Sequence, residues 1–216
     1  MSMLCWLLGL SPAQVHALRA TPSLAGDLAQ VAEDGQQAAN LSETMKRLLP
    51  EQRTMAEAQH RARLAAIGPM PGYEEAHARV RRLGSLESAL DLQKAWHILH
   101  FLFTGHVDAA DAPGDALLSG EPLGEDVGYG PARLHGPEAT LAFDRFLTTL
   151  DVERLQARVS IVEMRRLNIY SLPMGPGSDA EYDRELREEV GHAFLKLRDY
   201  VSDKSAKGDG LLIWLS

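Results

Sequence analysis

Three observations predict an α+β fold. Apolar runs of strand length stand near both ends of the chain, M-L-C-W-L-L-G-L (Met3 to Leu10) and L-L-I-W-L (Leu211 to Leu215). Between them, apolar residues recur every three or four positions, which is the helical period. One segment, at about residues 90–104, is apolar nearly all round, as a helix buried among several neighbours must be. The terminal strands are expected to meet in one small mixed or antiparallel sheet, with several helices packed on it around the buried central one. A chain of 216 residues suits a single domain, 1–216.

Each element has its own signal. Ser11 as N-cap and Pro12 at the first helical position end the opening strand and start a short helix, Ala13 to Arg19. Thr21-Pro22 repeats the device for a helix through Ala32, and Asp34-Gly35 reads as a break. Leu41 to Leu49 is helical until Pro50, and Thr54 to Ala66 is rich in good helix formers. G-P-M-P-G (Gly68 to Gly72) is a loop before a charged helix, Tyr73 to Leu83. The whole stretch 33–84 therefore reads as a helical region, inserted or mobile.

In the central helix, Leu92, Ala95, Trp96, Leu99 and Phe103 share one face, and Gly105 supplies the C-terminal cap. Asp108 to Gly114 is a loop, Ala116 to Ser119 a brief apolar piece, and Gly120 to Arg133 a glycine-rich loop. Pro137 to Thr149 is a helix whose inward face carries Phe143, Phe146 and Leu147. Asp151 caps Val152 to Arg158, and Ser160 to Leu167 is helical or loop. Asn168 to Pro173 is extended, because residues before proline avoid the helical region. Ser178 or Asp179 caps a long amphipathic helix through about Tyr200, and Gly208-Asp209-Gly210 turns the chain into its last strand.

A formal net charge of −8 argues against a protein that wraps nucleic acid or rests on an anionic membrane. No long basic run offsets it; Arg79, Arg81 and Arg82 have acidic neighbours. The single cysteine, Cys5, rules out a disulfide within the chain and fits a reducing compartment. It sits mid-strand, where a buried core thiol is expected. Met3 to Leu10 is too short for a membrane span and has no basic leader, so a cytoplasmic protein is expected.

Candidate chemistry concentrates around the central helix and the glycine-rich loop. His97 and His100 are one helical turn apart, a spacing at which two imidazoles can share a metal, but no further ligand accompanies them. No metal and no cofactor is expected. His100 lies with Trp96 and Phe103 and reads as a hydrogen-bonded core histidine. His97, on the more polar side, is the better acid–base candidate. The loop G-E-P-L-G-E-D-V-G-Y-G-P-A-R lacks both the Gly-Lys-Ser/Thr ending of a P-loop and the G-x-G-x-x-G spacing, and its carboxylates would repel a phosphate. Asp126 as acid or base, with Arg133 gripping an anionic group, makes a workable small-molecule site. Trp96, Glu125 and Tyr129 are its ligand-contacting candidates. The structural alternative has Arg133 paired with Asp126 or Glu125, pinning the loop.

W-H-I-L-H-F-L-F-T-G (Trp96 to Gly105), E-P-L-G-E-D-V-G-Y-G-P-A-R-L (Glu121 to Leu134) and G-D-G-L-L-I-W-L-S (Gly208 to Ser216) together resemble the YfbM-like bacterial family, domain of unknown function 1877. The resemblance implies a compact α+β domain of bacterial cytoplasmic proteins. It brings no activity, cofactor or catalytic residue.

Two functions from different classes fit these residues. One is an acidic interaction protein that docks a basic protein partner, of inhibitor or immunity type, motivated by the charge and the absence of a catalytic motif. The other is a small-molecule sensor or enzyme with its site between the central helix and loop 120–134.

Overall fold

The computed structural model describes residues 3–67 and 72–216. Strand β1 (Cys5–Leu10) leads through α1 (Pro12–Ala20) to α2 (Leu24–Arg47), α3 (Pro50–Ile67) and α4 (Tyr73–Arg81). A two-residue strand, β2 (Leu90–Asp91), precedes the central helix α5 (Ala95–Thr104). Beyond a long connector stand β3 (Glu121–Asp126) and β4 (Pro131–His135), followed by α6 (Pro137–Thr149), α7 (Val152–Ala157) and α8 (Ile161–Arg166). Helix α9 (Asp179–Lys207) and β5 (Gly210–Leu215) follow.

The strands form one sheet in the order β2-β1-β5-β4-β3, every neighbouring pair antiparallel. The two terminal strands lie side by side at its centre, in register from Cys5–Leu215 to Leu10–Gly210. Successive side chains of a strand point to opposite faces. Cys5, Leu7, Leu211 and Ile213 therefore enter one core, and Trp6, Leu8, Leu10, Leu212 and Trp214 another. The first core is closed by residues of α5 to α9, the second by α1, α2 and α4. A sheet covered on both faces explains why its central strands are apolar without alternation. Trp6 and Trp214 stack with ring centroids 6.2 Å apart, tying the two central strands together.

Helix α5 is buried at every position from Ala95 to Leu102, as its all-round apolarity requires. Its start differs from the expected one. Residues 90–91 are paired to β1, and Gln93 turns the chain at φ 52°, its N–H held by the Asp91 carboxylate at 2.7 Å. Several other boundaries also move. Asp34-Gly35 does not break α2, which runs through both; Gly35 costs about 1 kcal/mol relative to alanine, and a long helix absorbs that. Helix α9 continues to Lys207, where Gly208 ends it in the left-handed conformation. Asn168 to Pro173 is not extended but a tight turn, with Asn168 and Ser171 at φ 56° and 62°. The expected loop Gly68 to Gly72 lies outside the described residues, apart from Gly72.

The largest correction concerns Gly120 to Arg133. It is not a loop but the β3–β4 hairpin, bulged between Leu123 and Asp126. Its glycines serve the backbone: Gly124 (φ 70°) passes so close to the α1–α2 turn that a Cβ would sit 2.7 Å from the Pro22 carbonyl oxygen. Within the 33–84 region, α4 joins the second layer through Ala76 and Val80, beside the Ala25, Leu28, Ala29 and Ala32 face of α2. No described side chain between residues 33 and 59 is buried, so distal α2 and α3 stand away from the sheet.

Candidate functional site

Four of the buried polar side chains, His97, His100, Asp115 and His135, gather at the connector between α5 and β3. His97 bridges three segments: Nε2 lies 3.0 Å from the Val107 carbonyl and Nδ1 accepts the Tyr170 N–H at 2.9 Å. A carbonyl only accepts and an amide N–H only donates, so the ring is the neutral tautomer with its proton on Nε2. Burial, above all, pushes its pKa below the ordinary 6.5, with His100 nearby acting in the same direction. His100 is fully buried, its Nε2 2.8 Å from the Asp108 carbonyl and its Nδ1 3.5 Å from the buried Asp115 carboxylate. From the other end, His135 Nε2 meets the Ser119 carbonyl at 2.9 Å, and Arg133 Nη1 donates to the Leu118 carbonyl at 2.7 Å. Three imidazoles and a guanidinium thus hold carbonyls along residues 107–119.

Arg133, expected to grip an anion or pair with Asp126 or Glu125, instead holds a backbone carbonyl; no ion pair joins it to either acid among the described residues. Glu125 and Asp126 are exposed on β3, an edge strand of the sheet. Charges, a bulge and Pro122 on such a strand all discourage pairing with another sheet. Tyr129 is 42% exposed at the hairpin turn, and its N–H donates to the Leu215 carbonyl at 3.0 Å. Trp96 is buried, stacked on His97 at 4.8 Å, with Nε1 bonded to the Met3 carbonyl. The structure therefore brings Trp96 and His97 together in the core and puts Glu125 and Asp126 outside it.

Two clefts lie elsewhere. One of about 260 Å³ runs under the connector, lined by Phe103, Thr104, His106, Gly114 and Phe146 among others. The other, about 400 Å³, lies where β1, α1, the α4–β2 linker and the end of α9 converge, with Gln14, Ser85, Glu87, Lys207 and Asp209 on its walls. Beside it, Lys204 is 3% exposed. Its ammonium binds the Glu87 carboxylate and, at 2.8 Å, Asp203, and stands 4.8 Å from the Tyr200 ring centre. Lys207 shares both carboxylates, at 3.0 and 2.9 Å. These hydrogen bonds from Lys204 and Lys207 hold the Glu87 and Asp203 carboxyls below their ordinary range. Asp209 moves the other way, raised by burial and then by Glu87.

Sequence reasoning missed this network, although two signals pointed to it. Lys204 continues the inward stripe Leu197, Val201 of α9, and Gly9 interrupts an apolar strand, which marks a close approach of another group.

Helix α9 exposes several carboxylates: Glu181, Glu185 and Glu189 follow one another at four-residue steps with Glu188 beside them, interleaved with the exposed Arg184, Arg187 and Lys196. Glu185, Glu188 and Glu189 have no ion-pair partner among the described residues; the pairs near them are Arg187–Asp183 and Arg165–Asp179. Like charges four apart on a helix repel by roughly 0.2–0.5 kcal/mol. No ion pair among the described residues offsets that repulsion at Glu185 and Glu189, although Arg184 and Arg187 stand nearby.

Among the described residues no group of three or more His, Cys, Asp or Glu is arranged to hold a metal ion, and no helix is long and apolar enough to cross a membrane. Residues 1–214 match the family described as Domain of unknown function (DUF1877). No curated protein matches the chain. The crystal structure of YfbM from Escherichia coli, a protein of unknown function, is similar, with a TM-score of 0.56 and 16% identity over 99% of each chain. At that identity the likeness shows the fold.

Proposed function

Starting from the DUF1877 family, to which the chain belongs, we propose that the protein binds a basic protein partner, as an inhibitor or immunity-type factor does. The observation that carries this reading is the outward face of α9, where Glu185, Glu188 and Glu189 are exposed with no ion pair among the described residues. A partner that brings lysine or arginine to this face relieves the repulsion and gains electrostatic steering, and the net charge of −8 adds to it. The buried histidines support the same reading from the other side. Both His97 nitrogens and the Nε2 of His100 and of His135 are engaged by connector carbonyls or a backbone amide, which suits a role in holding the connector.

We place the protein in the bacterial cytoplasm, as its single buried thiol and its likeness to an Escherichia coli protein suit. The test is capture from the host lysate at low salt by the wild type and by a triple variant, Glu185→Lys, Glu188→Lys and Glu189→Lys. A basic protein retained by the wild type, released by salt and lost in the variant is the expected result. Equal capture by both, or no basic protein with either, overturns the proposal.

A further inference from the structure

The cleft of about 400 Å³ between β1, α1, the α4–β2 linker and the end of α9 is of small-molecule size, and its walls are fixed. Buried Gln14 donates to the Leu83 and Ser85 carbonyls at 3.2 and 3.3 Å, while its side-chain carbonyl accepts the Ser11 N–H at 2.8 Å. The Tyr200 hydroxyl accepts the Gly9 N–H and donates to the Ser88 carbonyl at 3.2 Å. The linker wall is thus tied to α1 and α9 at three carbonyls.

The charges at this cleft do not balance. Glu87, Asp203 and Asp209 stand against Lys204 and Lys207, which leaves one carboxylate over. Both lysines are bound to both Glu87 and Asp203, so those four groups close on themselves. The surplus is Asp209. Its backbone is held, because its N–H donates to the Lys204 carbonyl at 3.0 Å and Gly210 after it packs closely on the His135 carbonyl. No hydrogen bond or ion pair among the described residues reaches its carboxylate. Burial and then Glu87 push that carboxyl above its ordinary range, and the two lysines offset this only in part.

We propose that this cleft binds a small organic cation, an ammonium or guanidinium on a short stem, with Asp209 as its counterion and Glu87 as a second acceptor. An anion would meet the surplus carboxylate and find Lys207 already occupied. A metal ion would lack ligands, since no group of three or more His, Cys, Asp or Glu is arranged for one among the described residues. An ammonium needs only acceptors for its donors, which carboxylates provide. Its stem has room beside Gly84, where a Cβ would meet nothing within 4 Å. Glu185, Glu188 and Glu189 do not line this cleft, so the inference stands apart from partner docking on α9.

The cation can arrive as a free amine or as a basic side chain of a peptide, and two probes separate these sources. Amide shifts of the whole chain at pH 7.5 are followed by NMR against n-butylammonium and against N-acetyl-lysine methylamide, with sodium chloride at matched concentration as the control. Expected are saturable shifts centred on Gly84, Ser85 and residues 208–210 with at least one probe; the tighter probe names the source. Asp209→Asn, which keeps the shape and removes the charge, should weaken that binding by about tenfold or more. Should the variant fold poorly, the wild-type Asp209 carboxyl decides: with the probe bound it must titrate at lower pH than in sodium chloride. Shifts with neither probe, equal binding by Asp209→Asn, or an Asp209 midpoint that does not move overturns the proposal.

Discussion

Lys204 lies directly over Gly9, so close that a Cβ on the glycine would come within 2.5 Å of the lysine Cδ. The strand has a glycine here because a lysine from α9 crosses it, its ammonium fixed by Glu87 and Asp203. Gly9→Ala should therefore destabilise by about 1–3 kcal/mol, the usual range for overpacking. Lys204→Met keeps the stem and leaves Glu87 and Asp203 half-exposed and still paired with Lys207, so it should cost less. Urea unfolding of the two variants checks the order; an unaffected Gly9→Ala protein would mean that Lys204 moves aside freely.

Stability should fall with acid through His97 and His135, whose pKa values burial sets below 6.5. The unfolded histidines then bind protons that the folded ones do not, so the unfolded state gains as pH drops. The stabilisation is complete above about pH 6.5 and declines below it as pH approaches the folded values. Unfolding free energies at pH 7.5, 6.0 and 5.0 should decrease in that order, less steeply in His97→Gln.

Glu185→Lys should stabilise the fold slightly, by about 0.2–0.5 kcal/mol, because it removes like-charge contacts along α9. The gain should fade with added salt, since exposed charges are screened over about 8 Å at physiological ionic strength. A melting-temperature series against sodium chloride reads this; a gain that survives high salt would have another origin.

Gly128→Ala should be poorly tolerated. Gly128 has φ 148° and lies against the end of β5, where a Cβ would approach the Leu215 carbonyl oxygen to 2.6 Å. The strained backbone alone costs on the order of 1–3 kcal/mol, and the neighbouring Tyr129–Leu215 hydrogen bond is at risk with it. Chemical denaturation should show the loss, whereas Gly35→Ala, in open space within α2, should be neutral or stabilising.

Cys5 should not react with thiol reagents in the folded protein. It is fully buried, and burial, followed by the Asp91 charge, raises its pKa far above the ordinary thiol value. Modification should track global unfolding; fast labelling under native conditions would show that β1 opens locally.

Much of this architecture was legible in the residue order, because apolar periodicity and capping are local. Met3 to Leu10 and Leu211 to Leu215 read as strands, Ser11-Pro12 and Ser178 as helix starts, and the segment around Trp96 to Phe103 as a buried helix. Tertiary structure decided what those local signals do not contain. Glycines at 120, 124, 128 and 130 look like loop residues until a strand partner makes them a bulged hairpin, because the β pairing is between chain segments. The roles of polar side chains were equally hidden. An arginine near carboxylates can grip an anion, an acid or a carbonyl, and only the position of Leu118 makes Arg133 a clamp. Lys204 is ordinary in sequence; Gly9, distant along the chain, gives it room, and Glu87 and Asp203 neutralise it. The sequence alone determined the terminal strands, most of the helices and their buried faces, through short-range periodicity. Only the fold decided which hydrogen-bond partner each buried polar group meets, because those partners come from residues far apart in the chain.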